Sequence, residues 1–251
     1  MALHPYPAAR QMDRSMPSSE DKKIFRAIQN HGTIFLHRAI VTKTGKPLRM
    51  RLPETGISGK VFKAIQLPDE HRILRTLTSL HRSNPKNYYV NLALAEFHHR
   101  MAETLIKWDE SIPFFEQAIR VRPDCRTARL GLAIVLSNSA RYCPPDENIQ
   151  RFSEALYHFS RLIENEPDAP IHWYNLAFCY LQNDHEKLAA ELFKLNIIKL
   201  PEYPDNYLGL YDYYSLSERS DRYFISKKNK QLMQEYARLY KKHGGKKKMP
   251  L

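Results

Sequence analysis

Four prolines set the frame of this chain. Pro85, Pro123, Pro167 and Pro201 each follow a stretch whose apolar residues recur three or four apart, the spacing of one face of a helix. The prolines are separated by 38, 44 and 34 residues. Ile112, Phe115 and Ile119 precede Pro123; Leu156, Phe159 and Ile163 precede Pro167; Ala189, Phe193 and Ile197 precede Pro201. After each proline another apolar-periodic stretch begins. Proline cannot donate to a helical ladder, so it marks where one helix has stopped and a turn leads to the next. The unit is therefore two helices and a proline-marked turn, and a chain with a period of this order is built by stacking such units.

The unit resembles the tetratricopeptide repeat, a helix-turn-helix of about 34 residues. The stretch 170–203 carries the resemblance best: Trp173, Leu176-Ala177 and Tyr180 in the first helix, then Ala189, Phe193 and Pro201 in the second. Alanine stands where that family most often has glycine. The preceding unit has Leu132-Ala133, Leu136, Ala155, Phe159 and Pro167, and the one before it Leu94-Ala95, Phe115, Ala118 and Pro123. Small residues let two helices approach, and Phe and Leu fill the gap to the next pair. Two units exceed 34 residues, and the excess is expected between their helices, near Ile106-Lys107-Trp108 and near Arg141–Asp146. The repeat weakens at both ends. His71–Arg82 reads as a second helix without a clear first one, and residues 204–242 as a further pair. The resemblance implies an all-α, right-handed solenoid of about three good and two degenerate pairs.

Four regions are expected. Residues 1–20, with Pro5, Pro7, Pro17 and several serines, have no periodicity and read as a tail. Residues 21–54 form a basic region, with a short helix through Ile24, Phe25 and Ile28. In the same region a β-hairpin is suggested by Leu48, Met50 and Leu52 alternating with Arg49 and Arg51 beyond the Lys43–Lys46 turn. Residues 55–243 are the helical repeat, and 244–251 a basic end.

Composition narrows the function classes. No apolar run is long enough to span a bilayer, and the first twenty residues lack a secretory apolar stretch. Cys125, Cys143 and Cys179, odd in number and far apart, suit free thiols in a reducing compartment, so a cytoplasmic location is expected. The formal net charge is +12, but it is uneven. Residues 1–66 carry 12 basic and 4 acidic side chains, residues 67–200 carry 16 and 17, and residues 201–251 carry 11 and 6. A main surface built for nucleic acid would make the middle basic. Any polyanion contact would use the ends: Arg49 and Arg51, Lys227 and Lys228, and Lys246, Lys247 and Lys248. Tyr203, Tyr207, Tyr211, Tyr213, Tyr214, Tyr223, Tyr236 and Tyr240 crowd the last third, as helix packing first, then as a protein interface or base-stacking surface. No phosphate loop, HExxH, CxxC or EF-hand pattern is present. His98 and His99 point about 100° apart on a helix, so neither a metal nor a cofactor is expected. No nucleophile elbow appears, so catalysis is not expected.

What remains is the concave surface that first helices line in a stacked solenoid. Helical spacing places Tyr89, Leu92 and Glu96 there, with His99 and Arg100. The next units add Leu130, Ile134 and Asn138, then Ile171, Tyr174, Phe178, Leu181 and Gln182. The face is mostly apolar with a polar edge. Asn175 matches the family's commonest asparagine, but the basic residues of its carboxylate-clamp members are missing. The expectation is a non-catalytic adaptor, assembly factor or chaperone-like protein that holds an apolar helix or segment of another protein. Apolar contacts would supply area, and Asn138, Asn175 and Gln182 would orient the partner's backbone. RNA or an anionic surface bound through the basic ends is the alternative. The chain's own residues 24–52 are a second candidate cover for the groove. Oligomeric state is open.

Overall fold

The computed structural model describes residues 56–67, 69–105, 108–216 and 226–245. Ten α-helices, and no strand, are found among them. They are α1 (Gly56–Ile65), α2 (Glu70–Ser83), α3 (Tyr88–Leu105), α4 (Ile112–Val121) and α5 (Arg126–Ala140). There follow α6 (Pro145–Asn165), α7 (Pro170–Gln182), α8 (Glu186–Lys199), α9 (Asp205–Leu216) and α10 (Lys227–Lys242). The hairpin expected at 33–52, the tail 1–20 and Arg49 and Arg51 lie outside the described residues.

Each frame proline follows a helix end: α2 stops at Ser83, α4 at Val121, α6 at Asn165 and α8 at Lys199. The helix starts have local causes. Asp69 Oδ1 accepts from the His71 N–H at 3.1 Å, and Ser226 Oγ from the Asn229 N–H at 3.1 Å. Proline occupies the first turn of α4, α6 and α7, where its missing N–H is no loss. The α7–α8 turn passes through Asp184 at φ 63°, a left-handed conformation that aspartate tolerates better than most residues.

One interaction recurs after each of the four frame prolines. Six residues after each proline, a side chain reaches back and donates to that proline's carbonyl. Asn91 Nδ2 reaches Pro85 O at 2.8 Å, and Arg129 Nη2 reaches Pro123 O at 2.6 Å. Trp173 Nε1 reaches Pro167 O at 2.7 Å, and Tyr207 Oη reaches Pro201 O at 3.1 Å. Four residue types fix the same turn, and only Trp173 matches the family pattern by letter.

Packing between units follows the second-helix phenylalanines. Phe115, Phe159 and Phe193 are fully buried. Phe115 lies under Gly131 of α5 and Phe193 under Gly209 of α9. A β-carbon at either glycine would fall 2.4 Å or 2.3 Å from a ring carbon. The next helix closes onto the ring because no side chain is in the way. Gly209→Ala should therefore cost about 1–3 kcal/mol by overpacking, read from urea unfolding midpoints. An unchanged midpoint would show that the ring moves aside freely. Ser111 stands where later units have Ala155 and Ala189, and its hydroxyl donates to Trp108 O at 2.7 Å.

The two insertions meet. The first contains the 3-10 turn Trp108–Glu110. Trp108 stacks on Tyr142 of the second, with centroids 5.2 Å apart. Arg151 pairs with Asp109 across the two units and with Glu147 on its own helix. The first unit also has the helix that sequence left undefined, since α1 packs against α2 and α3. At the other end Tyr207, Leu208, Tyr211, Ala237 and Tyr240 make a small core of their own. Tyr214 stacks on Tyr236 at 5.8 Å. The described tyrosines here are packed or half-buried.

First helices of successive units touch one another, α3 with α5, α5 with α7 and α7 with α9, more than second helices do. The all-α solenoid therefore curves toward its first helices.

Candidate functional site

Curvature makes the first-helix side the candidate site, and four register positions repeat along it. Leu92, Leu130, Tyr174 and Leu208 occupy one position, all buried. One turn on come Glu96, Ile134, Phe178 and Asp212. Of these Glu96 is buried and the other three are half-buried. His99, Ser137, Leu181 and Ser215 follow, the first three buried. At the start of each helix stand Tyr89, Thr127, Ile171 and Asp205, of which Tyr89 is half-buried and the rest are buried.

The sequence-derived set therefore divides. Leu92, Glu96, Leu130, Ile171, Tyr174 and Leu181 are enclosed, while Tyr89, Ile134, Asn138, Asn175, Phe178 and Gln182 keep part of their surface. Tyr174 carries much of the wall. Its ring stacks on Phe178 at 5.9 Å and lies 5.8 Å from Phe193 and 6.1 Å from Tyr203. Two amides are already engaged: Asn175 Nδ2 donates to Ile171 O at 2.8 Å, and Gln182 Oε1 accepts from Ser137 Oγ at 3.5 Å. The second of these links adjacent units across the face.

Electrostatics single out two groups. Burial pushes the Glu96 carboxyl well above its ordinary value and the His99 imidazole down to about 4. In both, burial disfavours the charged form. His98, their neighbour, faces elsewhere: it stacks on Phe114 at 5.4 Å, with Nδ1 3.1 Å from Glu110 Oε2. Among the described residues no group of three His, Cys, Asp or Glu side chains is placed to hold a metal ion. Nor is any helix there long and apolar enough to cross a membrane.

One cluster escaped sequence reasoning. Arg126 at the start of α5 makes 2.8 Å bonds to both oxygens of Glu166 after α6, and His172 Nε2 on α7 lies 3.2 Å from Oε2. The hydrogen bond from His172, with Arg126 beside it, lowers the Glu166 carboxyl against the opposing effect of burial. No local pattern links residues 40 apart, so only the stacking reveals it. The cysteines are free thiols. Tyr88 Oη lies 2.7 Å from Cys125 Sγ, and burial pushes Cys179 up to about 12. Of the basic candidates, Lys227 and Lys228 are exposed on the first turn of α10, while Lys246, Lys247 and Lys248 lie outside the described residues.

A tetratricopeptide-repeat family model matches residues 148–205. No curated protein matches the chain. Among solved structures, a MamA RS-1 double mutant is 13% identical with a TM-score of 0.52, covering 76% of this chain and 96% of that one. PilW, described as a widely conserved type IV pilus biogenesis factor, is 18% identical with a TM-score of 0.50, covering 75% of this chain and 76% of its own. At these identities the likeness is one of fold.

Proposed function

From the premise that this chain is a tetratricopeptide-repeat protein, we propose that it is a non-catalytic interaction module. It holds an apolar helix or extended segment of another protein against its concave face, as an adaptor or assembly factor does. One observation carries this reading. Tyr89, Ile134 and Phe178 come from three successive first helices and are half-buried where their register neighbours Leu92, Leu130 and Tyr174 are enclosed, and Asn138 and Gln182 are half-buried too. Apolar surface supplies the area a partner would cover, and a few amides set its orientation. The three free thiols suit a reducing, cytoplasmic setting.

The test should avoid side chains that hold the wall together, which excludes Tyr174. Affinity purification with wild type, Ile134→Ala and Phe178→Ala should show the same partner retained by wild type and weakened about 10-fold or more by the variants. Ile198→Ala, on α8 at 78% exposure, is the control and should change nothing. A partner profile unaffected by Ile134→Ala and Phe178→Ala would remove the concave face from the mechanism.

A further inference from the structure

The last described helix, α10, packs on α9 through Met233, Tyr236, Ala237 and Tyr240 and turns its other side to solvent. Nine of its 16 residues are exposed and all nine are polar: six cations, two glutamines and one acid, Glu235. None of the six cationic side chains has an ion-pair or hydrogen-bond partner among the described residues. Several cations of the middle units are matched instead, Arg126 by Glu166, Arg151 by Asp109 and Glu147, Arg161 by Glu164 and Lys194 by Glu191. The arrangement works against the helix itself. Lys227 and Lys228 stand in its first turn, which has no acid and where the helix dipole disfavours a cation. Lys227 and Lys230, and Arg238 with Lys241 and Lys242, sit at the three- and four-residue spacings where like charges repel. A terminal helix needs only a polar outer face to stay in solution, and mixed signs supply that without the repulsion. A face of one sign is completed by a polyanion.

The spread of the charges selects which polyanion. At about 100° per residue, Gln234, Lys227, Arg238 and Gln231 run along the crest of the exposed arc. Lys230 and Lys241 lie on one flank, and Lys242 and Lys228 on the other with Glu235 between them; the outermost lysines are roughly 160° apart. A flat anionic bilayer touches a crest and leaves such flanks unmatched. No apolar or aromatic side chain is exposed on α10 to enter a bilayer or to stack on unpaired bases. A groove walled by a charged strand on either side meets both flanks at once. The major groove of B-form DNA is about 12 Å wide and admits an α-helix, whereas the deep groove of an RNA duplex is too narrow. The residue types agree with that placement. Lysine, a point charge for phosphate oxygens, holds the flanks, while arginine and glutamine, whose forked ends pair with guanine and adenine edges, hold the crest. We propose that the outer face of α10 docks in the major groove of duplex DNA. Lys228, Lys230, Lys241 and Lys242 bind the two phosphate strands, and Gln231, Gln234 and Arg238 face the base edges. This surface is separate from the concave face, and the proposal does not rest on the reading given there.

The test is fluorescence anisotropy of a labelled random-sequence DNA duplex titrated with the full chain. Binding should weaken about 100-fold or more between ~50 and ~200 mM salt, as four phosphate contacts require. Lys230→Gln and Lys242→Gln, one from each flank, should each weaken it about 5-fold and lower the salt slope by about 1. Neither should lower the melting temperature, because neither side chain has a described partner to lose. Lys60→Gln and Lys63→Gln, exposed on α1, remove the same charge elsewhere and should change binding by less than about 2-fold. An RNA duplex, a single DNA strand, phosphatidylserine vesicles and polyglutamate should each bind about 10-fold or more weakly than the DNA duplex. Controls on α1 that weaken binding as much as the flank variants would reduce the effect to net charge and overturn the proposal. Equal or tighter binding of any of the other four polyanions would remove duplex DNA as the occupant. Loss of binding on replacing Lys246, Lys247 and Lys248 by glutamine, with the flank variants unaffected, would move the contact from α10 to the chain end and sink the proposal, as would no binding at ~50 mM salt.

Discussion

Replacing Phe193 by alanine is expected to cost about 3–5 kcal/mol, the range for removing a fully enclosed aromatic ring. The ring has no exposed surface, lies against Tyr174 at 5.8 Å, and sits directly beneath Gly209. It fills the joint between the α7–α8 and α9–α10 pairs. Glycine above it offers no side chain that could swing in, so the void cannot collapse cheaply. The neighbouring pair also has a separate small core of Tyr207, Leu208, Tyr211, Ala237 and Tyr240. Loosening the joint should therefore separate two unfolding steps as well as lower the midpoint, visible as tyrosine fluorescence and far-UV dichroism melting apart in urea. Phe193→Leu, which keeps most of the volume, should cost less than half as much. A loss below about 1 kcal/mol for the alanine variant would contradict this picture of the joint.

Acidification should destabilise the fold through His158. Burial, and then the Arg129 guanidinium, lower its imidazole from 6.5 to about 4. Arg129 Nη1 lies 3.2 Å from Nδ1, and Glu154 Oε1 lies 3.9 Å from Nε2. The folded pKa lies below the unfolded one, so the folded state resists a proton that the unfolded chain accepts. The stability involved is therefore complete above pH 6.5 and is lost as pH falls toward 4, by roughly 3 kcal/mol. Urea unfolding at pH 7, 5.5 and 4.5 should show this decline in wild type and a shallower one in His158→Gln. Glu96 and His99 work in opposite directions over much of this range, but both are present in the two proteins, so the difference isolates His158. Equal slopes would rule out this role.

Much of the architecture was legible because its signals are local. Proline position, three-and-four spacing and turn-rich insertions lie within one or two helices. They located the ends of α2, α4, α6 and α8 to within a few residues and the first insertion between helices, whereas most of the second, expected in the link near Arg141–Asp146, lengthens the start of α6, which has 21 residues against 14 in α8. The first helix α1 was harder: its ten residues include Gly56 and Gly59, lack an acidic first turn, and match no repeat position that sequence had fixed. The site was read only in part. Spacing puts Glu96 and Phe178 at one register position, yet one is enclosed and the other half-buried. Enclosure depends on how neighbouring units lean together, which no single helix encodes. The same holds for the Arg126–Glu166–His172 cluster.

The tie at each turn explains why so short a stretch is recognisable to a family model. Asn91, Arg129, Trp173 and Tyr207 perform one task with four chemistries. A profile scores letters, whereas the turn requires only an N–H or O–H at a fixed reach. Exchange among such residues can thus erase ancestry from the text while the architecture stays put, and kin of this chain should be sought by the bond at that offset as much as by spelling.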